Sequence, residues 1–425
     1  MIVGDDDMKH IYTSIDIGTD AIKVVVCELY QNKLNLLAAS CMPSKGIKKG
    51  LITDVEAARM SLRKAIQEVE AMLGIKIRQV LASVPSYYAD FKLVSSTIAI
   101  EPTIDDEPAE IEGKDISILL KKASYQKRHP NDELVTTVPI DFKIDHRLVV
   151  KSPLGLPASV LEVRAVAVTT PKKNIYSVLS LIEGIGLQVK DISLNGIGDM
   201  YAFKNKEMDN KVGAIINIGS ETTSISLYNK GIIVKNSVIG LGGKNIDNDL
   251  SYIYKLNGTV AKTVKENFAL AHKRFASASD VYEVANHNQE TIKIKQLEAS
   301  EVVMARLEEI LGQARKEIHA LTNHEIDYIL VTGGVSNMTN FDVLVKTILG
   351  KKAMLGNMKL IGVRNNRYSS SVGNIVYYIS KLKLLGIRDT MVSEDDSLEL
   401  SSGKNLVNVN NESMLGKVFG YFFNE

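Results

Sequence analysis

The chain has 425 residues, a hydrophobic content of 45%, a charged content of 24% and a formal net charge of +1. These values are typical of a globular protein with more than one folding unit, and they exclude a general electrostatic attraction to nucleic acid. No apolar run approaches the roughly 20 residues that cross a bilayer. The two cysteines, Cys27 and Cys41, lack metal-ligand spacing and predict a reducing, cytosolic compartment.

The first part of the chain predicts a β-β-β-α-β unit after a leader. Residues 1–9 include a run of aspartates at positions 5–7, so we do not expect a signal peptide, and we expect this segment to be disordered. Strands are predicted over 11–15, 22–29, 34–40 and 79–84 from their alternating or β-branched pattern. A helix is predicted over 54–73, with Thr53 as its N-cap and Gly74 closing it.

The same order of elements returns loosely after residue 212. Strands are predicted over 213–218, 223–228 and 232–239, and helices over 245–255 and 259–271. Between the two copies, residues 85–164 combine a helical pattern (116–126) with several strand patterns. They predict a small inserted α/β domain, because structureless loops above about 15 residues are uncommon.

Further elements follow toward the C-terminus. Helices are predicted over 173–184, 296–321 and 370–385, and a short buried strand over 328–331. Residues 391–412 are rich in Ser, Asn, Asp and Glu and predict a disordered linker, whereas 413–425 are apolar and aromatic again.

The most informative motif occurs twice. S-I-D-I-G-T-D at 14–20 is echoed by I-I-N-I-G-S-E-T-T at 215–223. Each copy predicts a hairpin whose tip exposes backbone N–H groups, and two facing tips would grip a polyphosphate. In the first copy, Asp16 suits Mg²⁺ held through water, Gly18 permits the turn, and Thr19 and Asp20 offer N–H groups. Taken alone, the pattern is more typical of an ordinary hairpin turn.

Two glycine segments complete the predicted site. Gly333, Gly334 and Val335 follow a buried strand, where a flat adenine ring would lie against bare backbone. Gly242 and Gly243 open a helix whose N-terminus would face a phosphate or ribose.

Together, these motifs resemble the actin-like ATPase superfamily and, within it, the FtsA family of bacterial cell-division proteins. The insertion lies where that family carries an extra subdomain. Its V-P-I-D-F (138–142) and S-P-L-G-L (152–156) segments resemble family elements, as does L-G-K-V-F-G-Y-F-F (415–423) at the end.

The resemblance implies an α/β, actin-like (ribonuclease-H-like) two-lobe ATPase fold with a small inserted α/β subdomain and a C-terminal amphipathic tail. It divides the chain into a first lobe (10–84, with 165–195 and 374–388), an inserted polymerisation subdomain (85–164), a second lobe (196–243, with 321–373), a candidate FtsZ-binding subdomain (244–320), a linker (391–412) and a membrane-targeting helix (413–425). It also implies ATP and Mg²⁺ as ligands. The implied partners are FtsZ, other copies of the chain, other divisome proteins and the cytoplasmic face of the membrane at the division septum, but no nucleic acid.

The chain departs from the family pattern at the second hairpin. Where the family usually reads D-I-G-G-G-T-T-D, this chain has Asn217, Ser220, Glu221 and Ser224. Asn217 cannot hold a metal or orient an attacking water as an aspartate does. Glu221 must turn outward or weaken binding, since two charges about 4 Å apart repel by roughly 4 kcal/mol at intermediate dielectric. We therefore expect ATP binding with weak or absent hydrolysis, and assign no catalytic residue.

The other nucleotide-binding candidates come from the same comparison. The resemblance places Gly219, Ser220, Glu221 and Thr222 at the second phosphate turn. Lys262 stands where the family usually has an acidic residue that holds the ribose, Lys265 keeps a family lysine, and Asp247 replaces a threonine.

The last segment predicts an amphipathic helix. Leu415, Val418, Phe419 and Phe422 share one helical face, which Phe423 widens. The helix is too short to span a bilayer and would bind its surface weakly, so polymerisation would supply avidity. A helix docked back on the protein is the alternative.

Two other functions fit the motifs. One is a sugar-kinase-type phosphotransferase, which needs a carboxylate base that the sequence does not clearly place. The other is a PilM-like actin-fold scaffold of a pilus or secretion system, which would lack the terminal tail.

Overall fold

Two five-stranded sheets with the same strand order form the centres of two lobes. The computed structural model describes residues 9–86, 88–102, 108–125 and 129–401. Its first part contains β1 (His10–Ile17), β2 (Ala21–Tyr30), β3 (Lys33–Pro43), β4 (Ile47–Lys48), β5 (Leu51–Ile52), α1 (Val55–Leu73) and β6 (Gln79–Val84). The predicted strands and helix of this unit are therefore present.

The inserted unit follows β6, and the chain then returns to the first lobe. The insertion contains β7 (Asp90–Ala99), β8 (Ala109–Glu110), α2 (Gly113–Ser124), β9 (Asp132–Ile144), β10 (Leu148–Val150), β11 (Pro157–Ala158) and β12 (Val160–Pro171). The return consists of α3 (Lys172–Glu183), β13 (Gln188–Leu194) and α4 (Asn195–Phe203).

The second lobe takes up most of the remaining chain. Its elements are β14 (Val212–Ile218), β15 (Thr223–Asn229), β16 (Ile232–Ile239), α5 (Gly243–Tyr254), α6 (Gly258–Asn267), β17 (Val281–Ala285), β18 (Thr291–Lys295), α7 (Gln296–Leu321), β19 (Tyr328–Thr332), α8 (Phe341–Leu349) and β20 (Ala353–Leu355). Two further helices, α9 (Ser369–Leu385) and α10 (Glu394–Ser401), end the described chain.

The two central sheets share their topology. One has the order β13-β6-β1-β2-β3, and the other, read from its corresponding edge, β20-β19-β14-β15-β16. In each, the first two strands form an antiparallel hairpin, and the strand on the other side of the hairpin is parallel. The sequence repeat therefore corresponds to a structural repeat.

The first helix begins one residue later than predicted. Asp54, not Thr53, is its N-cap, and the Asp54 side chain accepts hydrogen bonds from the N–H groups of Glu56 and Ala57. The Thr53 hydroxyl instead donates to the carbonyl of Gly46. The helix ends at Gly74, which is in the left-handed region (φ 77°) as a C-terminal glycine commonly is.

The inserted unit has its own sheet and core. Its sheet has the order β10-β9-β12-β7, and its buried core includes Ile116, Leu119, Phe142 and Leu161. Strand β12 stays paired with β9 as far as Pro171. The sheet of this unit thus extends seven residues past the boundary predicted at 164.

Helices α4 and α9 pack closely through glycine. A Cβ on Gly373 would lie 1.7 Å from the carbonyl oxygen of Gly198, so neither backbone could keep its place. This contact brings the start of α9 and its serines to the base of the cleft described below.

The segment predicted as a linker begins with folded residues. Met391 and Val392 are buried, and the Met391 N–H donates to the carbonyl of Ile11. In α10, Asp396 forms an ion pair with Arg78 of the first lobe. Residues 391–401 therefore contradict the prediction of a disordered linker from 391, while the rest of the linker and the predicted tail (413–425) lie outside the described residues.

None of the helices within the described ranges combines the length and the apolar character that a membrane span needs.

Candidate functional site

A polar cleft of about 210 Å³ lies between the two lobes, and both repeated hairpins line it. Most of the predicted nucleotide-binding residues are brought together here: Asp16, Gly18, Thr19, Asp20, Gly219, Ser220, Thr222, Gly243, Lys262, Lys265, Gly333, Gly334 and Val335. Glu221 and Gly242 are not among the lining residues. Apart from these two, the nucleotide-binding residues predicted from the sequence lie in a single cleft.

Both hairpin turns are built in the same way. The N–H of Gly18 donates to the carbonyl of Ala21 (3.1 Å), and that of Gly219 to the carbonyl of Thr222 (2.9 Å). Each turn thus uses its glycine N–H to close. In the described part of the chain, the N–H groups of the next two residues of each turn make no hydrogen bond, so they can serve an anion.

Asp16 is the penultimate residue of strand β1, and its carboxylate faces the cleft. Asp16 lies directly across the hairpin from Lys23, and the Lys23 ammonium donates to Asp16 Oδ2 at 2.9 Å. Burial opposes the charge of Lys23, but Asp16 outweighs this effect and raises the pKa of the lysine. The pair holds a carboxylate oxygen at the end of the cleft that the two hairpins line.

The residues present fit a hydrated Mg²⁺ ion more readily than a directly held metal. Among the described residues, no group of three or more His, Cys, Asp or Glu side chains could hold a metal ion. Lys23 occupies Oδ2 of Asp16 and leaves Oδ1 for a water of a Mg²⁺ hydration shell. When bound, such an ion would neutralise charge on the phosphates.

Two polar contacts connect the lobes at the tips of the hairpins. Lys262 of α6 donates to Asp20 Oδ2 at 2.7 Å, and the backbone N–H of Lys49 donates to Glu221 Oε2 at 2.8 Å. Burial alone would raise the pKa of Asp20, but its bond to Lys262 helps to lower it. Glu221 accordingly faces the first lobe, which is the outward orientation, one of the two alternatives expected from the sequence.

The N-terminus of α5 is already occupied by the protein. The N–H groups of Gly243 and Lys244 donate to the carbonyls of Gly219 (2.9 Å) and Ser220 (2.7 Å). The prediction that this N-terminus faces a phosphate or ribose is therefore not supported for these two N–H groups. They fix the second hairpin turn against α5 instead.

A buried ion pair lies behind this turn. Lys265 of α6 and Asp247 of α5 approach to 2.7 Å, with less than a tenth of either side chain exposed. Burial raises the pKa of Asp247, although Lys265 opposes the effect. The lysine of this pair lines the cleft, so the pair joins the floor of the site to the two helices.

The glycines after β19 differ in their surroundings. Gly333 has φ +94°, and a Cβ there would lie 2.4 Å from the carbonyl oxygen of Ile218. Gly334 has nothing within 4 Å of an added Cβ, so it faces open space in the cleft. This bare backbone is the kind of surface that a flat ring requires.

Asn217 is held from behind by a buried carboxylate. Its amide nitrogen donates to Asp199 Oδ2 at 2.6 Å, and Ser369 and Ser370 of α9 donate to Oδ1 at 2.6 and 2.8 Å. Burial raises the pKa of Asp199 to about 6 in spite of these bonds. The second hairpin therefore has a carboxylate, but one layer behind the cleft.

Sequence reasoning missed several residues that line the cleft. These are, chiefly, Lys23, Cys41, Lys49, Asn195, Glu266, Arg367 and Ser370. Two of them had a detectable signal. Hairpin register pairs Lys23 with Asp16, and Glu266 lies one helical turn after Lys262. Arg367, and Asp199 behind the cleft, had none, because tertiary packing alone brings them to the site.

Comparison with known proteins adds sequence matches and structural neighbours. The family model described as "Cell division protein FtsA" matches residues 214–373, and that described as "SHS2 domain inserted in FTSA" matches residues 92–169. The chain is 28% identical to cell division protein FtsA of Bacillus subtilis (strain 168) over 381 residues, or 89% of this chain and 86% of the relative. It is 25% identical to FtsA of Streptococcus pneumoniae serotype 2 over 365 residues, or 84% and 78%.

Solved structures with this fold have low sequence identity. A PilM–PilN type IV pilus biogenesis complex chain aligns with TM-score 0.53 and 14% identity, covering 88% of this chain and 98% of that one. MreB5 of Spiroplasma citri bound to ADP aligns with TM-score 0.53 and 14% identity, covering 89% and 99%. These likenesses concern the fold alone.

The paired sheets, the hairpin-lined cleft and these neighbours define an actin-like, two-lobe protein. Its inserted unit matches a domain described only by its place in FtsA, and its second lobe matches the FtsA model itself. Residues 92–169 and 214–373 therefore match the FtsA family of cell-division proteins, as relatives at 25–28% identity over most of the chain also do, and the sequence-based predictions of fold class and family are confirmed.

Proposed function

We propose that this chain is an ATP-binding, polymerising cell-division adaptor that tethers FtsZ filaments to the cytoplasmic face of the membrane at the septum, with weak or absent ATP hydrolysis. The observation that carries the nucleotide part is the convergence of two equivalent glycine turns on one cleft. Related folds are known with ADP and AMPPNP, as in the MreB5 structures of Spiroplasma citri.

The side chains that line the cleft suit a nucleoside triphosphate. Five cationic side chains line it, and three of them are paired with aspartates: Lys23, Lys262 and Lys265. Within the described chain, Lys49 and Arg367 have no carboxylate partner and are available to phosphate oxygens. Bare backbone at Gly334 provides the ring surface, and Glu266 provides a carboxylate for ribose hydroxyls.

Weak hydrolysis follows from the second hairpin. An attacking water needs an acceptor with enough basicity to orient it and receive its proton. At the strand end, Asn217 presents a neutral amide, and the Asp199 carboxylate behind it is buried and already accepts three hydrogen bonds. We therefore expect bound ATP to persist.

The adaptor part of the proposal rests on the match to the FtsA family and on segments outside the cleft. The inserted unit (90–171) is the candidate polymer contact, and the second-lobe insertion (244–320) is the candidate FtsZ contact. The terminal helix, with Leu415, Val418, Phe419, Phe422 and Phe423, would supply the membrane contact, but it lies outside the described residues. Many tails on one polymer would bind a surface that a single tail binds weakly.

Calorimetric titration with ATP·Mg²⁺, paired with a phosphate-release assay, tests the nucleotide part. We expect binding with turnover far below that of an active actin-like ATPase. Absence of affinity would contradict the first half, and rapid turnover the second.

Co-sedimentation tests the adaptor part. The full chain should pellet with anionic liposomes and bring purified FtsZ with it. A variant without residues 413–425 should still bind FtsZ but remain in the supernatant. A chain that pellets equally well without this segment, or that does not bind FtsZ, would favour the PilM-like scaffold.

A further inference from the structure

The carboxylate of Asp199 is an unexpected component of this site. It belongs to α4, is 1% exposed and does not line the cleft, yet it contacts two residues that do, Asn217 and Ser370. Its two oxygens accept from three donors in all. Burying a charge in this way costs free energy that a well-packed apolar side chain would avoid. A role at the cleft would account for its presence.

The contact fixes the orientation of the Asn217 amide. With its pKa raised to about 6 by burial, the Asp199 carboxyl is mainly ionised at pH 7.5 and can only accept hydrogen bonds. The donor that it receives must therefore be the amide nitrogen of Asn217, at 2.6 Å. The amide oxygen then points away from Asp199.

The freed oxygen has a defined place beside the cleft. A Cβ on Gly333 would lie 2.5 Å from Asn217 Oδ1, so the oxygen packs against the bare Cα of this glycine. Both residues line the cleft. Asn217 therefore presents a hydrogen-bond acceptor at the strand end of the second lobe, in the position that corresponds to Asp16 in the first.

An amide oxygen at this position selects its ligands. It repels a phosphate oxygen, because both are acceptors, but it accepts hydrogen bonds from water. Mg²⁺ keeps several waters when it binds a nucleotide and so offers such donors. We propose that Asp199 is a positioning residue that holds the Asn217 amide with its oxygen toward the cleft, so that Asn217 accepts hydrogen bonds from the water shell of nucleotide-bound Mg²⁺. This inference rests on the proposed ATP-binding function.

The test compares ATP affinities at pH 7.5 in Mg²⁺ and in EDTA. The wild type should bind at least tenfold more tightly with Mg²⁺. In Asp199→Asn, the neighbouring amide can take either orientation, so the Mg²⁺ affinity should fall at least fivefold while the affinity in EDTA stays within twofold. The exchanged pair D199N/N217D places a carboxylate at the cleft with a donor behind it, and should recover the wild-type Mg²⁺ affinity within twofold.

Asp191→Asn is the matched control. It removes the same charge from the first lobe, where Asp191 pairs with Lys381 and does not line the cleft. Both of its affinities should equal those of the wild type within twofold. Thermal melts of all variants establish that each is folded.

Several outcomes would overturn the inference. The first is an ATP affinity of the wild type that does not depend on Mg²⁺. The second is an Asp199→Asn variant that loses ATP affinity equally in Mg²⁺ and in EDTA. The third is a double variant D199N/N217D that does not recover the wild-type ATP affinity in Mg²⁺. If Asp199→Asn does not fold, the folded double variant D199N/N217D decides alone: its ATP affinity in Mg²⁺ must lie within twofold of that of the wild type. A wild type that binds no ATP in either buffer refutes the proposed function, and the inference with it. If the wild type binds ATP but Asp199→Asn leaves the ratio of its affinities in Mg²⁺ and in EDTA unchanged, only the inference is refuted.

Discussion

Asp20 and Glu221 occupy equivalent positions in the two hairpin turns, and each carboxylate is held by the opposite lobe. Lys262 of the second lobe reaches Asp20, and the Lys49 N–H of the first lobe reaches Glu221. Both turns therefore direct their acidic side chain across the cleft and leave the free N–H groups of the tips facing inward. The acidic residues at the tips thus connect the lobes without opposing an anion directly.

Removing Lys262 should weaken nucleotide binding through Asp20. In Lys262→Met the Asp20 carboxylate loses its partner beside the phosphates, and we expect ATP affinity to fall about threefold to tenfold. The double variant D20N/K262M should recover most of this loss. Calorimetry of the wild type, both single variants and the double variant measures the cycle.

The same pair should contribute little to stability. Lys262 and Asp20 remain 36% and 51% exposed, and pairs of this kind contribute about 0.2–1 kcal/mol. A coupling free energy of unfolding above that range, or an affinity unchanged in Lys262→Met, would contradict this description.

Substitutions at the two glycines after β19 should have different effects: one at Gly334 should lower ATP affinity, and one at Gly333 should lower stability. Gly334→Val places a side chain in open cleft space, so ATP affinity should fall at least tenfold with little change in Tm. Gly333→Ala forces a Cβ against the Ile218 carbonyl at a positive φ, and should lower the free energy of unfolding by about 1–3 kcal/mol. Calorimetry and chemical denaturation of both variants provide the comparison. Equal effects of the two substitutions on stability would be inconsistent with the structure.

Asp199 should make stability depend on pH. Its folded pKa is raised by burial from 3.8 to about 6, with Asp16, itself paired with Lys23, adding to the rise. The folded state thus holds this proton more tightly than the unfolded state. The stabilisation from the protonated carboxyl is present below about pH 4 and is lost as pH rises through 6.

Asp199→Asn removes this titration. Between pH 4 and 7, the free energy of unfolding of the variant should rise relative to the wild type by roughly 2 kcal/mol. Urea denaturation of both proteins at several pH values measures the difference. A constant difference across this range would show that Asp199 titrates normally.

The packing of α4 on α9 should tolerate no side chain at Gly373. Gly373→Ala places a Cβ on the Gly198 carbonyl oxygen and should destabilise the fold by at least about 2 kcal/mol. Gly312 in α7 is the matched control, because nothing lies within 4 Å of an added Cβ. Gly312→Ala should stabilise by up to about 1 kcal/mol. Thermal unfolding of the two variants should therefore shift in opposite directions.

Local patterns in the sequence predicted the elements that carry the site. Alternating apolar residues and a glycine turn define each hairpin, and hairpin register alone places Lys23 opposite Asp16. The long helix Gln296–Leu321 was predicted with both its ends, because its apolar spacing persists throughout. These features depend on neighbours within a few residues of one another.

Long-range packing could not be predicted in the same way. Helix α4 begins N-G-I-G, a poor helix-forming sequence, and it is stabilised by contact with α9. Asp199 and Asn217 are eighteen positions apart on different elements, and Lys262 lies 242 positions from Asp20. No periodicity within one segment carries such information.

The two cross-cleft contacts have a consequence for motion between the lobes. A single contact would act as a pivot about which one lobe could swivel. Two separate points of attachment, one donated from each side, restrict rotation to the axis that joins them. A movement that separates the two hairpin tips must then break both contacts together, so opening of the cleft at the tips should be cooperative and not gradual.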